Sequence, residues 1–275
     1  MKRFDKSLHS RSPAFREVNI LNKIELATTK PSSIIARLLS TRSPDRRLSR
    51  HVLVFEYCEF SLEDLIRGLK SPNLCVTRPT KTYVSLCEIS SLAKSLINAL
   101  VFLEQMGILH NDLKSSNILW KRGKNDGEWK LADFGSAQTS LFLKTHKRIG
   151  TLSTAAPEMF MGSKHFSNKS DVWSFGCVMW ESLFSILPFD FNDLHAFQNG
   201  YTVASKFPAR QLVRGLTKQS KSRWLIGNMV LNCMLEPVIP KRWGATECMR
   251  LSETIDKYKQ DEHLESYIGV RACDL

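Results

Sequence analysis

The seven cysteines of this chain are scattered, and no two stand at C-x-x-C spacing. An odd, unpatterned set of thiols excludes a disulfide framework as the organising device and is expected of reduced cysteines inside a cell. Long apolar runs are also missing. No stretch of about 18 consecutive apolar residues occurs, so no membrane span is expected. The start, MKRFDKSLHSRSPAF, lacks the apolar core of a secretory signal. Basic residues exceed acidic ones for a net charge of +12, yet no run of five or more basic residues appears. The charge is spread over the chain, and a nucleic-acid partner is not expected. Internal repeats and low-complexity tracts are absent. The expected location is intracellular, cytoplasmic and/or nuclear.

What is present is ordinary globular material. In 275 residues, 43% are hydrophobic and 24% charged, enough for a sizeable core. The most informative stretch is Gly107–Gly135, GILHNDLKSSNILWKRGKNDGEWKLADFG. The apolar runs Ile108-Leu109 and Ile118–Trp120 flank a polar turn that holds Asp112, Lys114 and Asn117. A polar tip follows, with Gly123 and Gly127 placed to let it bend. A second apolar run, Trp129–Ala132, ends at Asp133-Phe134-Gly135. Two carboxylates and a carboxamide thus arrive at the ends of adjacent strands. Such oxygen donors suit Mg²⁺, which keeps waters or phosphate oxygens for the rest of its shell.

His110-Asn111-Asp112-Leu113-Lys114-Ser115-Ser116-Asn117 resembles the protein-kinase catalytic loop H-R-D-L-x-x-x-N. Asp133-Phe134-Gly135 resembles D-F-G, and Ala156-Pro157-Glu158 resembles A-P-E, in the family's order. D-F-G alone is a weak signal, whereas the ordered set is strong. The resemblance implies an α+β, two-lobed protein-kinase-like fold, with a truncated small β lobe and a mainly helical large lobe. It divides the chain into a partial small lobe at 1–57, a large lobe at 58–255 and a tail at 256–275.

By the same resemblance the chain is a serine/threonine protein kinase that uses ATP and Mg²⁺ on a protein substrate. Asp112 would orient the substrate hydroxyl, and Lys114 would neutralise the γ-phosphoryl group. Thr151 would bond towards both, while Asn117 and Asp133 would hold Mg²⁺. Lys at position 114 and Thr at 151 resemble the serine/threonine class. Phe15–Leu21, with apolar positions at 15, 18 and 21, reads as a helix. It resembles the αC helix, with Glu17 as partner of a strand lysine, for which Lys2 is the candidate. Val52–Tyr57 reads as a buried strand and resembles the strand and hinge of the family. Phe55 would gate the pocket, Glu56, Tyr57 and Cys58 would form the hinge that reads adenine, and Leu119 would lie under the base.

Further along, Ser61-x-x-Asp64 is a helix-capping signal before Leu62, Leu65, Ile66 and Leu69. Ile89 to Leu103 follows a 3.6-residue period and reads as a long central helix ending at Gly107. Asp171–Gly176 resembles the start of the family's αF helix, with Asp171 holding the catalytic-loop backbone. Leu231–Met234 followed by Pro240-Lys241-Arg242 resembles the family's late L…P-x-x-R element, and by that resemblance Arg242 would pair with Glu158. LVFEY followed by SLEDLI has the flavour of the cyclin-dependent-kinase-like branch, although REVNILNKIE does not resemble that branch's cyclin-binding helix; the regulatory partner is left unassigned.

Three departures from the pattern stand out. Asn111 replaces the family's arginine and supplies no charge for an activating phosphate. Thr154 stands where an aromatic residue is usual. The G-x-G-x-x-G loop does not occur, so a weak kinase is expected. A kinase-fold binding or scaffolding protein, a pseudokinase, is the alternative that these departures favour. The intact set Asp112, Lys114, Asn117 and Asp133 favours catalysis.

Overall fold

The computed structural model describes residues 2–4, 13–27, 34–42, 51–69, 84–123, 127–139, 150–159, 167–189 and 221–259. The basic stretch Lys144–Arg148, the polar, proline-containing stretch Ser71–Lys81 and most of Asn192–Arg223 lie outside these residues.

The small lobe contains a three-stranded antiparallel sheet of order β1-β3-β2, built from β1 (Lys2–Phe4), β2 (Leu38–Arg42) and β3 (His51–Phe55). The β-branched run of β3 takes the central place, with Leu53 wholly buried. Lys2 lies opposite Leu53, and Leu38 opposite Phe55. Helix α1 (Pro13–Glu25) begins on a proline, whose missing N–H is no loss in a first turn. Glu17, Ile20, Leu21 and Ile24 form one buried stripe at helical spacing. The helix packs against the short 3-10 turn Phe134–Ser136.

The large lobe is mainly helical. Capping boxes start α2 (Leu62–Ile66) and α3 (Leu86–Gln105): Ser61 exchanges bonds with Asp64, and Ser85 with Glu88. Helix α2 is shorter than the apolar spacing predicts. The chain turns at Gly68, φ 70°, and Leu69 is left 67% exposed rather than on the buried face. Helix α3 is long and apolar enough to cross a membrane, but its apolar residues are buried in the core. It packs on α4 (Asn168–Phe184), which is buried on nearly every side, as a core helix must be if it is apolar all round. Helix α5 (Lys221–Met229) runs into a π turn, Val230–Met234, that packs on α4. A last helix, α6 (249–259), continues across position 256. There Asp256 accepts from Ser90 Oγ at 2.6 Å and pairs with Lys94 at 2.7 Å.

Two small antiparallel sheets pack on α2 and α3. One has the order β4-β6-β7, from β4 (Phe60–Ser61), β6 (Ile118–Arg122) and β7 (Gly127–Leu131). The other pairs β5 (Ile108–Leu109) with β8 (Gln138–Thr139). Gly127 opens β7, where any Cβ would run into the Trp120 ring, and the tip at 124–126 before it lies outside the described residues. Trp120 in turn faces Trp129 edge-on at 5.0 Å. The segment after α1 is stitched to β7: Ala36 N–H donates to Leu131 O at 2.9 Å, and Leu131 N–H to Ile34 O at 2.8 Å.

Candidate active site

The loop between β5 and β6 carries the site, and Asp171 holds its shape. His110 N–H and Asn111 N–H both donate to the Asp171 carboxylate, at 2.7 and 2.9 Å. Burial pushes the Asp171 carboxyl up, against the pull of these two donors. The His110 imidazole is wholly buried against Phe134, with ring centroids 4.8 Å apart. Its Nδ1 accepts from Asp112 N–H at 3.3 Å, so Nε2 carries the proton and donates to Ala132 O at 3.1 Å. Burial pushes its pKa down, and the accepting Nδ1 makes the ring a neutral imidazole.

On this frame the polar side chains converge. Asp112 Oδ1 accepts from Thr151 Oγ1 at 2.6 Å, and Lys114 Nζ donates to the same Thr151 oxygen at 2.6 Å. Lys114 Nζ also lies 3.0 Å from Asp112 Oδ2. Carboxylate, ammonium and hydroxyl thus close a triangle across 39 residues of sequence. Asn117, at the end of the 3-10 turn Ser115–Asn117, donates to Asp112 O at 2.8 Å and to Asp112 Oδ2 at 3.3 Å. Both bonds use its amide nitrogen, and no described residue donates to its Oδ1. Ala132 N–H donates to Asn117 O at 2.9 Å, which sets Asn117 beside the residue preceding Asp133. Asp133 stands in the left-handed region, φ 63°, and its Oδ1 accepts from Gly135 N–H at 3.2 Å.

Asp112, Lys114, Asn117 and Thr151 therefore meet in one cluster, with Asp133 adjacent along the backbone. Among the described residues no group of three His, Cys, Asp or Glu side chains is placed to hold a metal ion. The donor set still fits Mg²⁺, which takes one or two carboxylates and leaves other positions to substrate oxygens and water. Glu17 is fully buried on α1, above the Phe134 turn. The backbone of Lys2 lies in β1 beside the hinge strand, and its side chain is outside the described residues. Phe55 is half-buried against the core, and Leu119 is half-buried in β6 opposite Lys130. Tyr57 is 80% exposed, while burial raises the Cys58 thiol.

Sequence reasoning missed three contributors. Gly150 holds φ 89°, and a Cβ there would strike Asn111 O; the G-T pair was the available signal. Ser174 Oγ donates to Thr154 O at 2.8 Å, so the small Thr154 is buried and tied from α4. Lys130, buried in β7 beside Glu56, gave no signal in the strand's alternation, because Trp129, Lys130 and Leu131 are all buried. The expected Arg242–Glu158 pair is present: Nη1 to Oε1 is 2.7 Å and Nη2 to Oε2 is 3.0 Å.

Fold and loop together define the two-lobed α+β arrangement of a kinase. A family model described as the protein kinase domain matches residues 1–252, and the chain belongs to that family. It is 34% identical over 172 residues to cyclin-dependent kinase G-1 of Oryza sativa subsp. indica, covering 62% of this chain and 22% of that protein. It is 32% identical over 170 residues to human cyclin-dependent kinase 9, covering 59% and 39%. Against cyclin-dependent kinase 9-A of Xenopus laevis the identity is 30% over 169 residues, covering 59% and 40%. The chain thus matches well under half the length of these curated relatives.

Proposed function

We propose that this chain is a serine/threonine protein kinase domain that transfers the γ-phosphoryl group of ATP to a protein hydroxyl. The observation that supports this best is the Asp112–Lys114–Thr151 triangle with Asn117 at its side. Phosphoryl transfer asks little covalent work of the protein; positioning and neutralisation of charge supply most of the catalysis. Asp112 Oδ2 or Oδ1 accepts a hydrogen bond from the incoming hydroxyl and aims its oxygen. Lys114 offsets charge on the phosphoryl oxygens. Thr151, bonded to both, fixes their separation. Asn117 Oδ1 and the Asp133 carboxylate would hold Mg²⁺, which supplies neutralisation of phosphate charge when bound. Phe55, Glu56, Cys58 and Leu119 line the place of the base, with Lys2 and Glu17 assigned to the phosphate side.

The relatives are named for dependence on a cyclin. The α1 sequence REVNILNKIE differs from the cyclin-binding signature of that branch, and this reading assigns no cyclin to the chain. The test is transfer of radiolabel from ATP to a generic serine/threonine substrate, with Asp112→Asn as the blank. Transfer that disappears in the blank is expected. Absence of any Asp112-dependent transfer overturns the reading in favour of a kinase-fold binding or scaffolding protein.

A further inference from the structure

The buried charge that this chemistry does not use sits behind the segment joining β3 to β4. The Lys130 side chain is 1% exposed, and its ammonium lies 3.2 Å from Glu56 Oε1 and 2.9 Å from Glu128 Oε1. Lys121 Nζ donates to Glu56 Oε2 at 2.5 Å, and Arg37 N–H donates to Oε1 at 2.8 Å. In return Glu56 N–H donates to Arg37 O at 2.9 Å. One carboxylate, itself only 10% exposed, therefore takes donors from the segment after α1, from β6 and from β7. Burial by itself would raise the Glu56 pKa; Lys121, the Arg37 amide and Lys130 outweigh it and hold the carboxyl below its ordinary 4.5.

Packing does not explain this cluster. A cavity of about 400 Å³ opens beside it, lined among others by Leu21, Glu25, Arg37, Glu56, Lys121 and Lys130. The back of the 56–58 segment is thus held by charge rather than by filled space. A buried ion cluster is no source of stability in itself, since well-packed apolar residues usually do as well or better. What it supplies is a fixed place for a backbone. The far end of the segment is also pinned: Glu59 N–H donates to Trp120 O at 2.8 Å, and Glu59 pairs with Arg122 at 3.1 Å.

We propose that the Glu56 carboxylate, clamped by Lys121, Lys130 and the Arg37 amide, is a positioning residue for the nucleotide base. It fixes the 56–58 backbone, whose amide and carbonyl groups hydrogen-bond the adenine. The proposal rests on the nucleotide-binding reading above. A backbone already ordered loses less freedom when ligand binds, so the clamp adds affinity for the base without touching it. The hydrogen bonds and ion pairs of the clamp given above join Glu56, Lys121, Lys130, Glu128 and the Arg37 amide, and its effect is expected on recognition of the base.

The experiment titrates adenosine, which has no phosphate, and Mg²⁺ADP in parallel by calorimetry. Glu56→Gln keeps the shape and removes the charge; Lys121→Met removes a donor that is 38% exposed and leaves the core alone. Both variants should weaken adenosine and Mg²⁺ADP by the same factor, about fivefold for Glu56→Gln. Lys121→Arg, which keeps a cation in place, should recover most of the loss. Asp133→Asn should weaken Mg²⁺ADP and leave adenosine unchanged. Unchanged or tighter adenosine binding in folded Glu56→Gln overturns the clamp, and so does a loss confined to Mg²⁺ADP. Should Glu56→Gln fail to fold, Lys121→Met decides by the same criteria. Failure of the parent chain to bind either ligand overturns the nucleotide reading and the clamp with it.

Discussion

Asn111 Nδ2 donates to Ser136 O at 3.3 Å, from a backbone held at φ 63°. The residue that replaces the family's arginine ties the catalytic loop directly to the start of the segment after Asp133-Phe134-Gly135. An arginine in this place needs a phosphate to complete its contact; the carboxamide completes its own. Asparagine also tolerates the left-handed backbone better than most side chains.

Activation through a phosphate on the following segment is therefore not expected. Phosphatase treatment should leave Asp112-dependent transfer within a few-fold of its starting rate. A loss of about 100-fold, equal to roughly 2.7 kcal/mol of barrier, would show that another cation has taken the arginine's role. On stability, Asn111→Ala should cost about 1–2 kcal/mol for the forced left-handed φ, and Asn111→Gly less. Urea midpoints at constant slope measure both.

Gly150 is the complementary case. Its φ of 89° and the closeness of Asn111 O leave no room for a Cβ. Gly150→Ala should push Thr151 out of the triangle. Transfer is expected to fall by at least about tenfold, near 1.4 kcal/mol of barrier, with the fold retained by circular dichroism. A Gly150→Ala enzyme of parental rate would show that Thr151 does not set the distance between Asp112 and Lys114.

The sequence carried the local geometry well. The capping box at Ser61, the period of α3 and the loop between β5 and β6 all follow from residues within a few positions of each other. The long-range pairs that were anticipated, Asp171 with the loop and Arg242 with Glu158, came from the family resemblance. No periodicity links residues 61 or 84 positions apart. The Glu56 cluster was illegible for the same reason, with Lys121 lying 65 residues from Glu56. Helix α2 was overextended because Leu69 keeps the helical spacing, while Gly68 ends the helix by turning the backbone left-handed.

The neutral, buried His110 sets a pH dependence whose sign is fixed. Its folded pKa lies below the ordinary 6.5. Between the two values the unfolded chain binds the proton and the folded one does not, so stability is lost as pH falls. Asp171, Asp112 and Asp133 all oppose this shift without reversing it. Unfolding free energy should decline from pH 7.5 to 5.5, with at most about 1.4 kcal/mol per pH unit from this one site. His110→Phe should flatten that slope, because phenylalanine has nothing to protonate. A slope that is unchanged in the variant would place the titration elsewhere.

Glu158 and Arg242 make the most deeply buried ion pair in the described residues, with side chains 5% and 0% exposed. The pair is fully furnished with hydrogen bonds. Ser170 Oγ donates to Glu158 Oε1 at 2.8 Å, and Arg242 donates further to Lys169 O at 2.9 Å and to Glu236 O at 2.8 Å. The guanidinium also lies 5.0 Å from the centre of the Trp173 ring. Removing one partner leaves the other charge buried and uncompensated, at a cost of about 3–5 kcal/mol. Glu158→Gln should therefore unfold at much lower urea, and Arg242→Met likewise. The double variant places two neutral side chains together and should be less destabilised than the sum of the singles by more than about 1 kcal/mol, as residues in direct contact generally are. Arg242→Lys should not rescue, because an ammonium lacks the planar fork that meets both carboxylate oxygens and lies against the indole. Strict additivity in this cycle would mean that the two charges are not coupled to each other, and would overturn the ion pair as the contact that holds the end of the 150–159 segment on α4.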